Sequence, residues 1–246
     1  MPTAHFRFYE ELNDFLPPGR RKVDFEHQFA GRPAVKDVIE AVGVPHTEVD
    51  LILVDGEPVH FSCPLADGAR VSVFPMFEAL DITPLLRLRP RPLRTSRFVL
   101  DAHLGGLARY LRLFGFDTWY RNDYDDLMLA RISQSESRIL LTRDRGLLKR
   151  SAVTHGYYIR DPQPLHQARE VLKRFDLYRA TRPFQRCLHC NGLIKEVSKE
   201  EILDRLEPNT RRYFDQFWRC EKCQRIYWRG SHYERMQRLV QTLVRC

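Results

Sequence analysis

No stretch of this chain is long and apolar enough to cross a bilayer, which takes about 20 consecutive apolar residues. The N-terminal MPTAHFRFYEELNDF has no basic leader followed by an apolar run, so no secretory signal is expected. Cysteine is sparse, six in 246 residues, and four of the six fall into two CxxC pairs, a spacing that points to a metal rather than to a disulfide framework. Lysine is scarce as well: arginine supplies 33 of the 40 basic side chains. The net charge of +8 leaves a basic surface, and the planar guanidinium fork suits phosphate, so a nucleic-acid partner is favoured over its base rate. With 43% hydrophobic residues, the chain can build two or three small cores and is not disordered throughout. These absences together predict a soluble, cytoplasmic protein with no membrane partner.

Within residues 1–80 the pattern is strand, strand, helix, strand, strand. HFRFYEEL and RKVDFEHQF read as strands around a turn at PPGR. AVKDVIEAVG has apolar residues on one helical face and Gly43 near its end. VDLILVDGEPV carries an Asp-Gly turn, and DGARVSVFPMF supplies the last strand. This order is that of a β-grasp, and AVKDVIEAVGVPHTEVDLILVDGEPV with LADGARVSVFP resembles the ubiquitin-like sulfur carriers. Those carriers act through a free C-terminal Gly-Gly, which is missing here: FPMFEAL follows and the chain continues. Sulfur transfer is therefore not expected, and the domain reads as a packing module or one that docks a protein partner. Residues 81–96, rich in Pro and Arg without periodicity, read as a linker.

From Arg97 the pattern alternates strand and helix: RFVLD, GLARYLRLFG, FDTWYR, DDLMLARISQ, RILLT, GLLKRSAV, GYYIR and LHQAREVLKRF. Leu107, Tyr110, Leu111 and Phe114 sit at core spacing ahead of a stop at Gly115, and RILLT is apolar on both faces, as a parallel strand should be. The expected fold for 97–180 is a doubly wound α/β sheet. Acids follow its strands: Asp101; Asp123, Asp125 and Asp126; Asp144; and Asp161. The carboxyl ends of parallel strands share one edge, so these acids are expected to converge. Clustered carboxylates repel unless a cation compensates, and oxygen ligands suit magnesium or manganese. Such an ion promotes displacement at phosphorus. Asp125 and Asp126 also suit the first turn of a helix, and Asp161 suits a turn before Pro162.

LDAHLGGLARYLRLFGFDTWYRND with RILLTRDRGLLKR resembles the PIN-like ribonuclease domain named for the Mut-seven C-terminal region, over about residues 97–240. An N-terminal ubiquitin-like domain is a known companion of that family. The resemblance implies a catalytic and metal-binding role for Asp101, Asp126 and Asp144 and a fourth acid that it does not place; their positions after the strands make Asp123, Asp125 and Asp161 candidates for a further ligand. Arg109, Arg112, Arg143, Arg145, Lys149 and Arg150 stand near these acids in sequence. Of these, Arg109, Arg112 and Lys149 are the candidate RNA contacts. Arg143 and Arg145, flanking Asp144, also suit structural ion pairs.

In residues 181–246, CLHC and CEKC present Cys187, Cys190, Cys220 and Cys223 as the closed four-sulfur set of a structural zinc ribbon. His189 offers a substitute ligand, while Cys63 and Cys246 read as free thiols. Trp218, Tyr227, Trp228 and Tyr233 interleave with Arg219, Arg225, Arg229 and Arg235, a pattern suited both to ribbon packing and to RNA. Arg225 and Arg229 are the RNA-binding candidates there. The leading expectation is a metal-dependent ribonuclease with magnesium or manganese and structural zinc; the alternative is a non-catalytic RNA-binding adapter that docks through the ribbon and the β-grasp.

Overall fold

The computed structural model describes residues 1–75 and 96–244. The expected linker, except for Ser96, and Cys246 lie outside the described residues. No helix among the described residues is long and apolar enough to cross a membrane.

The first segment is a mixed sheet on one helix. Strands β1 (Thr3–Phe8), β2 (Phe25–Gln28), β3 (Leu51–Val54), β4 (Glu57–Pro58) and β5 (Arg70–Phe74) lie in the order β2-β1-β5-β3-β4, with β1 and β5 parallel. Alternation decides the buried face of β1, since Ala4, Phe6 and Phe8 are all buried. Helix α1 (Val35–Val42) turns Val35, Val38, Ile39 and Val42 onto that face and ends at Gly43, whose amide donates to the Glu40 carbonyl. The hairpin of β3 and β4 closes over Asp55-Gly56, as the sequence predicts. The link between β1 and β2 is longer than a simple turn. Two 3-10 segments, Glu10–Phe15 and Pro18–Arg20, intervene, and the buried Asn13 amide donates to the Phe8 and Glu10 carbonyls, holding the chain there.

The next elements alternate as expected: β6 (Phe98–Leu100), α2 (Gly105–Leu113), β7 (Thr118–Tyr120), α3 (Asp126–Glu136), β8 (Ile139–Thr142), α4 (Arg145–Leu148), β9 (Gly156–Tyr158) and α5 (Pro164–Arg174). β6 and β7 pair in parallel from Phe98↔Thr118 to Leu100↔Tyr120, and β8 and β9 from Leu140↔Gly156 to Thr142↔Tyr158. All of β8 is buried, the reason for its unbroken apolar run. Gly115 ends α2 with φ +93°, and a Cβ there would come within 2.1 Å of the Arg182 carbonyl oxygen, so only glycine fits.

The C-terminal elements are β10 (Ile194–Val197), α6 (Pro208–Tyr213), β11 (Phe217–Cys220), β12 (Ile226–Trp228) and α7 (Ser231–Val244). The three strands form an antiparallel sheet in sequence order over a small core of Val197, Ile202 and Phe217. Helix α7, with 14 residues, was not foreseen from the sequence.

Packing divides the chain into two units: Met1–Thr95 with Asp125–Tyr158, and Ser96–Tyr124 with Ile159–Cys246. In the first, the β-grasp grips the α4–β9 region. His46 lies with Nδ1 2.6 Å from Glu40 Oε1 and Nε2 2.9 Å from the Val153 carbonyl oxygen. The fully buried Glu48 accepts from the Tyr158 amide at 2.5 Å, and Lys149 Nζ donates to the Glu40 carbonyl at 2.6 Å. The Arg145 guanidinium covers the rings of Phe15 and Tyr158. Replacing Glu48 with Ala strands the Tyr158 amide and is expected to lower stability by about 1–3 kcal/mol. Thermal unfolding beside the exposed-site control Glu57→Ala checks this; equal midpoints would contradict it.

Candidate functional site

Each strand-end acid has a local geometric cause. Asp144 follows β8 and caps α4: its Oδ1 accepts from the amides of Gly146 (2.6 Å) and Leu147 (3.4 Å). Its own amide donates to Thr142 Oγ1 at 2.9 Å, so backbone and carboxylate are both oriented, while Oδ2 takes no part in these bonds. Asp101 follows β6 and precedes the 3-10 turn Ala102–Leu104, with its carbonyl accepting from Leu104. Asp125 is the N-cap of α3, accepting from Met128 at 2.7 Å. Asp126 opens that helix, half-exposed and 3.5 Å from Arg150. Asp123 is exposed and bound by both oxygens to Arg121, and that hydrogen bond holds its carboxyl below the usual value. Asp161 makes a turn, accepting from the Gln163 amide at 2.7 Å, and faces His166 at 3.3 Å. Asp125, Asp126 and Asp144 fall in the first unit; Asp101, Asp123 and Asp161 fall in the second. Among the described residues of either unit, no three aspartates bring their oxygens together as closely as the cysteines described below bring their sulfurs.

The four cysteines do converge. Their sulfurs all lie within 4.8 Å of one another, with Cys187–Cys223 at 3.6 Å and Cys190–Cys220 at 3.4 Å. Two equivalent turns build the set. In each, the second cysteine's amide donates to the first sulfur (Cys190 to Cys187, Cys223 to Cys220). The next residue, Asn191 or Gln224, has a positive φ and donates its amide to the first cysteine's carbonyl. Where the turns meet, a Cβ on Gly192 would press on Lys222 Cβ at 2.8 Å and Cys220 Sγ at 2.9 Å, so the position requires glycine. Burial raises the thiols of Cys190, Cys220 and Cys223. At Cys187 burial also opposes ionisation, but the Tyr227 hydroxyl 3.0 Å away and the Cys190 and His189 amides outweigh it and lower the thiol to about 7. Burial and the Cys187 thiol together push the Tyr227 hydroxyl upward. Three thiols raised by burial beside one that ionises more readily give up their protons together only against a positive charge, and with their sulfurs this close the set can hold a metal ion. His189 is exposed and stands outside the converging group.

Two of the expected RNA contacts are occupied elsewhere. Arg112 is buried, donating to the Thr118 carbonyl at 3.0 Å and to the Leu188 and His189 carbonyls at 3.1 and 2.9 Å. Burial lowers its guanidinium's pKa, partly offset by Cys187 and Cys190. It clamps the first cysteine turn and cannot meet phosphate, which corrects the sequence expectation. It stands one helical turn after the buried Ala108, which puts it on the inward face of α2. Lys149 is engaged by the Glu40 carbonyl. Arg109, Arg225 and Arg229 are exposed. Cys63 is a free thiol, as expected.

Residues 96–240 match the family described as the Mut7-C RNAse domain, and residues 1–81 match the Mut7-C ubiquitin domain. The chain belongs to the Mut7-C RNAse domain family. The Mut7-C match thus spans both cysteine turns as well as the α/β elements and carries a ribonuclease description. No curated protein matches the chain. Among solved structures, SAMP1 from Haloferax volcanii is similar at 17% identity with a TM-score of 0.26, over 32% of this chain and 99% of that one.

Replacing Arg112 with Ala leaves three carbonyls without their donor and is expected to cost about 2 kcal/mol or more, whereas Arg109→Ala should stay within about 0.5 kcal/mol. Denaturant unfolding of both variants distinguishes them; an Arg112→Ala curve overlying the parent would refute the clamp.

Proposed function

We propose that the protein is a metal-dependent ribonuclease that hydrolyses phosphodiester bonds of RNA at Asp101, Asp126 and Asp144. The observation that carries the reading is Asp144: within a chain of the Mut7-C RNAse family, its Oδ1 is tied by the α4 amides and its Oδ2 enters none of those bonds. A carboxylate aimed by backbone amides at the end of a buried strand has the rigidity that ion binding needs. Hard oxygen donors without histidine or cysteine suit magnesium or manganese, and such an ion supplies Lewis acidity toward a phosphodiester. Asp101 and Asp126 complete the proposed set, with Asp123, Asp125 or Asp161 as a further contributor. Arg109 is exposed on α2 and is suited to a flanking phosphate. In the second unit, Arg225 and Arg229 serve the same end.

The four cysteines hold zinc in this reading, in a structural role. A tetrahedron of Zn–S bonds of about 2.3 Å has edges of about 3.8 Å, close to the 3.4 and 3.6 Å seen. Four reduced cysteines suit the cytoplasm. The β-grasp, packed on α4 and β9, leaves its remaining surface for a protein partner.

The ion pairs of Asp123 with Arg121 and of Asp126 with Arg150 favour a second reading, in which these acids are structural and the protein is a non-catalytic RNA-binding adapter. Asp144→Asn separates the two, because asparagine still accepts at the cap while the charge is lost. With single-stranded RNA and manganese, cleavage by the parent and a loss of roughly 100-fold or more in the variant is expected. RNA bound but uncut by both would establish the adapter.

Zinc uptake at pH 7 should release roughly three to four protons per chain, since burial keeps Cys190, Cys220 and Cys223 protonated while Cys187, lowered to about 7, is partly so. Affinity should then rise with pH. Calorimetric titration in two buffers of different ionisation enthalpy measures the number; no proton release would contradict the four-thiolate site.

A further inference from the structure

Beside the cysteine turns, within the second unit, lies a cavity of about 830 Å³, in the size range of small-ligand pockets. It passes the edge strand β12 of the three-stranded sheet. Opposed residues of an antiparallel pair share a face, so the register puts Trp218 with Tyr227 on one side of the sheet and Trp228 with Phe217 on the other. Trp218, Tyr227, Trp228, Phe214 and Tyr233 all contribute to the wall, so aromatic surface is offered on both sides of one strand. Trp228 remains 39% exposed.

The charge around the cavity has one sign. No Asp or Glu lines it, while Arg186, Arg225 and Arg229 do. Arg186 is engaged by the Gly115 and Asn191 carbonyls and by Asp117. The other two are exposed and form no ion pair with a carboxylate among the described residues. The Arg229 guanidinium lies 5.2 Å from the Trp218 ring centroid and 5.8 Å from that of Tyr233, an arrangement that holds its face on carbon and leaves its N–H groups for another partner.

We propose that this cavity binds an unpaired nucleotide of a single-stranded RNA segment, its base against Trp228 and its neighbouring phosphates on Arg225 and Arg229. The inference deepens the ribonuclease reading by naming the substrate class: RNA presenting a single-stranded stretch that the ribbon grips. Flat rings have π-faces that accept any base, and paired bases in a helix cannot offer theirs, so single strands are selected by geometry. An acidic peptide shares the charge but not the need for several ring faces beside one strand.

The test uses the full-length Asp144→Asn protein loaded with zinc, so that cleavage does not consume the ligand. Fluorescence anisotropy is read with a labelled eight-nucleotide RNA, with the same RNA in a duplex, and with an acidic peptide as competitor. The single strand should bind at least 10-fold more tightly than the duplex. Trp228→Ala should weaken it by about 5- to 150-fold and Trp228→Phe should restore most of that. Arg225→Ala and Arg229→Ala should each flatten the slope of log affinity against log salt by about 0.7. Each variant is melted first. If Trp228→Ala is not folded, the two arginine variants decide. Unchanged affinity and salt slope in folded variants would overturn the proposal, as would equal binding of duplex or displacement by peptide alone. Parent protein that binds in this way but cuts nothing would defeat the ribonuclease reading while upholding the cavity.

Discussion

A single buried guanidinium, that of Arg112, organises the second unit. Helix α2 delivers it to the interior, where it meets a carbonyl at the start of β7 and two carbonyls inside the first cysteine turn. A desolvated charge is costly unless its hydrogen bonds are made, so this contact specifies one relative position of helix, strand and turn. Asn191 strengthens it from the other side: its side chain accepts from the Thr118 amide and donates to Asp117. The metal-binding turn and the α/β elements of this unit therefore share one polar network, so disturbing the cysteine set should be felt at the α2–β7 junction.

The first unit has a comparable logic with different parts. A β-grasp would be expected to be portable, yet here it contributes His46, Glu48 and Glu40 to contacts with the region that follows β8. Arg145 and Lys149 are drawn toward the β-grasp, one over aromatic rings and one onto a carbonyl. Asp144, directly before Arg145, is thus held from two directions: by the α4 amides and by the packing of its neighbour. The ubiquitin-like module thus braces the loop bearing a candidate catalytic acid.

The aspartates show how one residue type answers to competing local demands. Capping, turn formation and pairing with arginine each use a carboxylate oxygen, and Asp125, Asp161 and Asp123 are used in those ways. Asp144 differs because the one oxygen its cap occupies accepts from two amides, whereas that of Asp125 accepts from one. Cap geometry and ion binding are compatible at such a residue, since amides and a cation approach different lone pairs.

Much of the molecule was legible without coordinates. The alternation in β1, the three- and four-residue spacing in α1 and α2, the apolar run of β8 and the paired CxxC turns are local patterns, set by backbone geometry that recurs at fixed intervals. Gly43 and Gly115 ended their helices where expected for the same reason. What the tertiary structure alone decided were choices between partners far apart in sequence. Arg112 finds carbonyls 76 and 77 residues away, and His46 finds Val153 across 107. A guanidinium on a helix reads the same whether it faces phosphate or carbonyl, because composition and spacing record side-chain chemistry but not which groups burial will bring beside it.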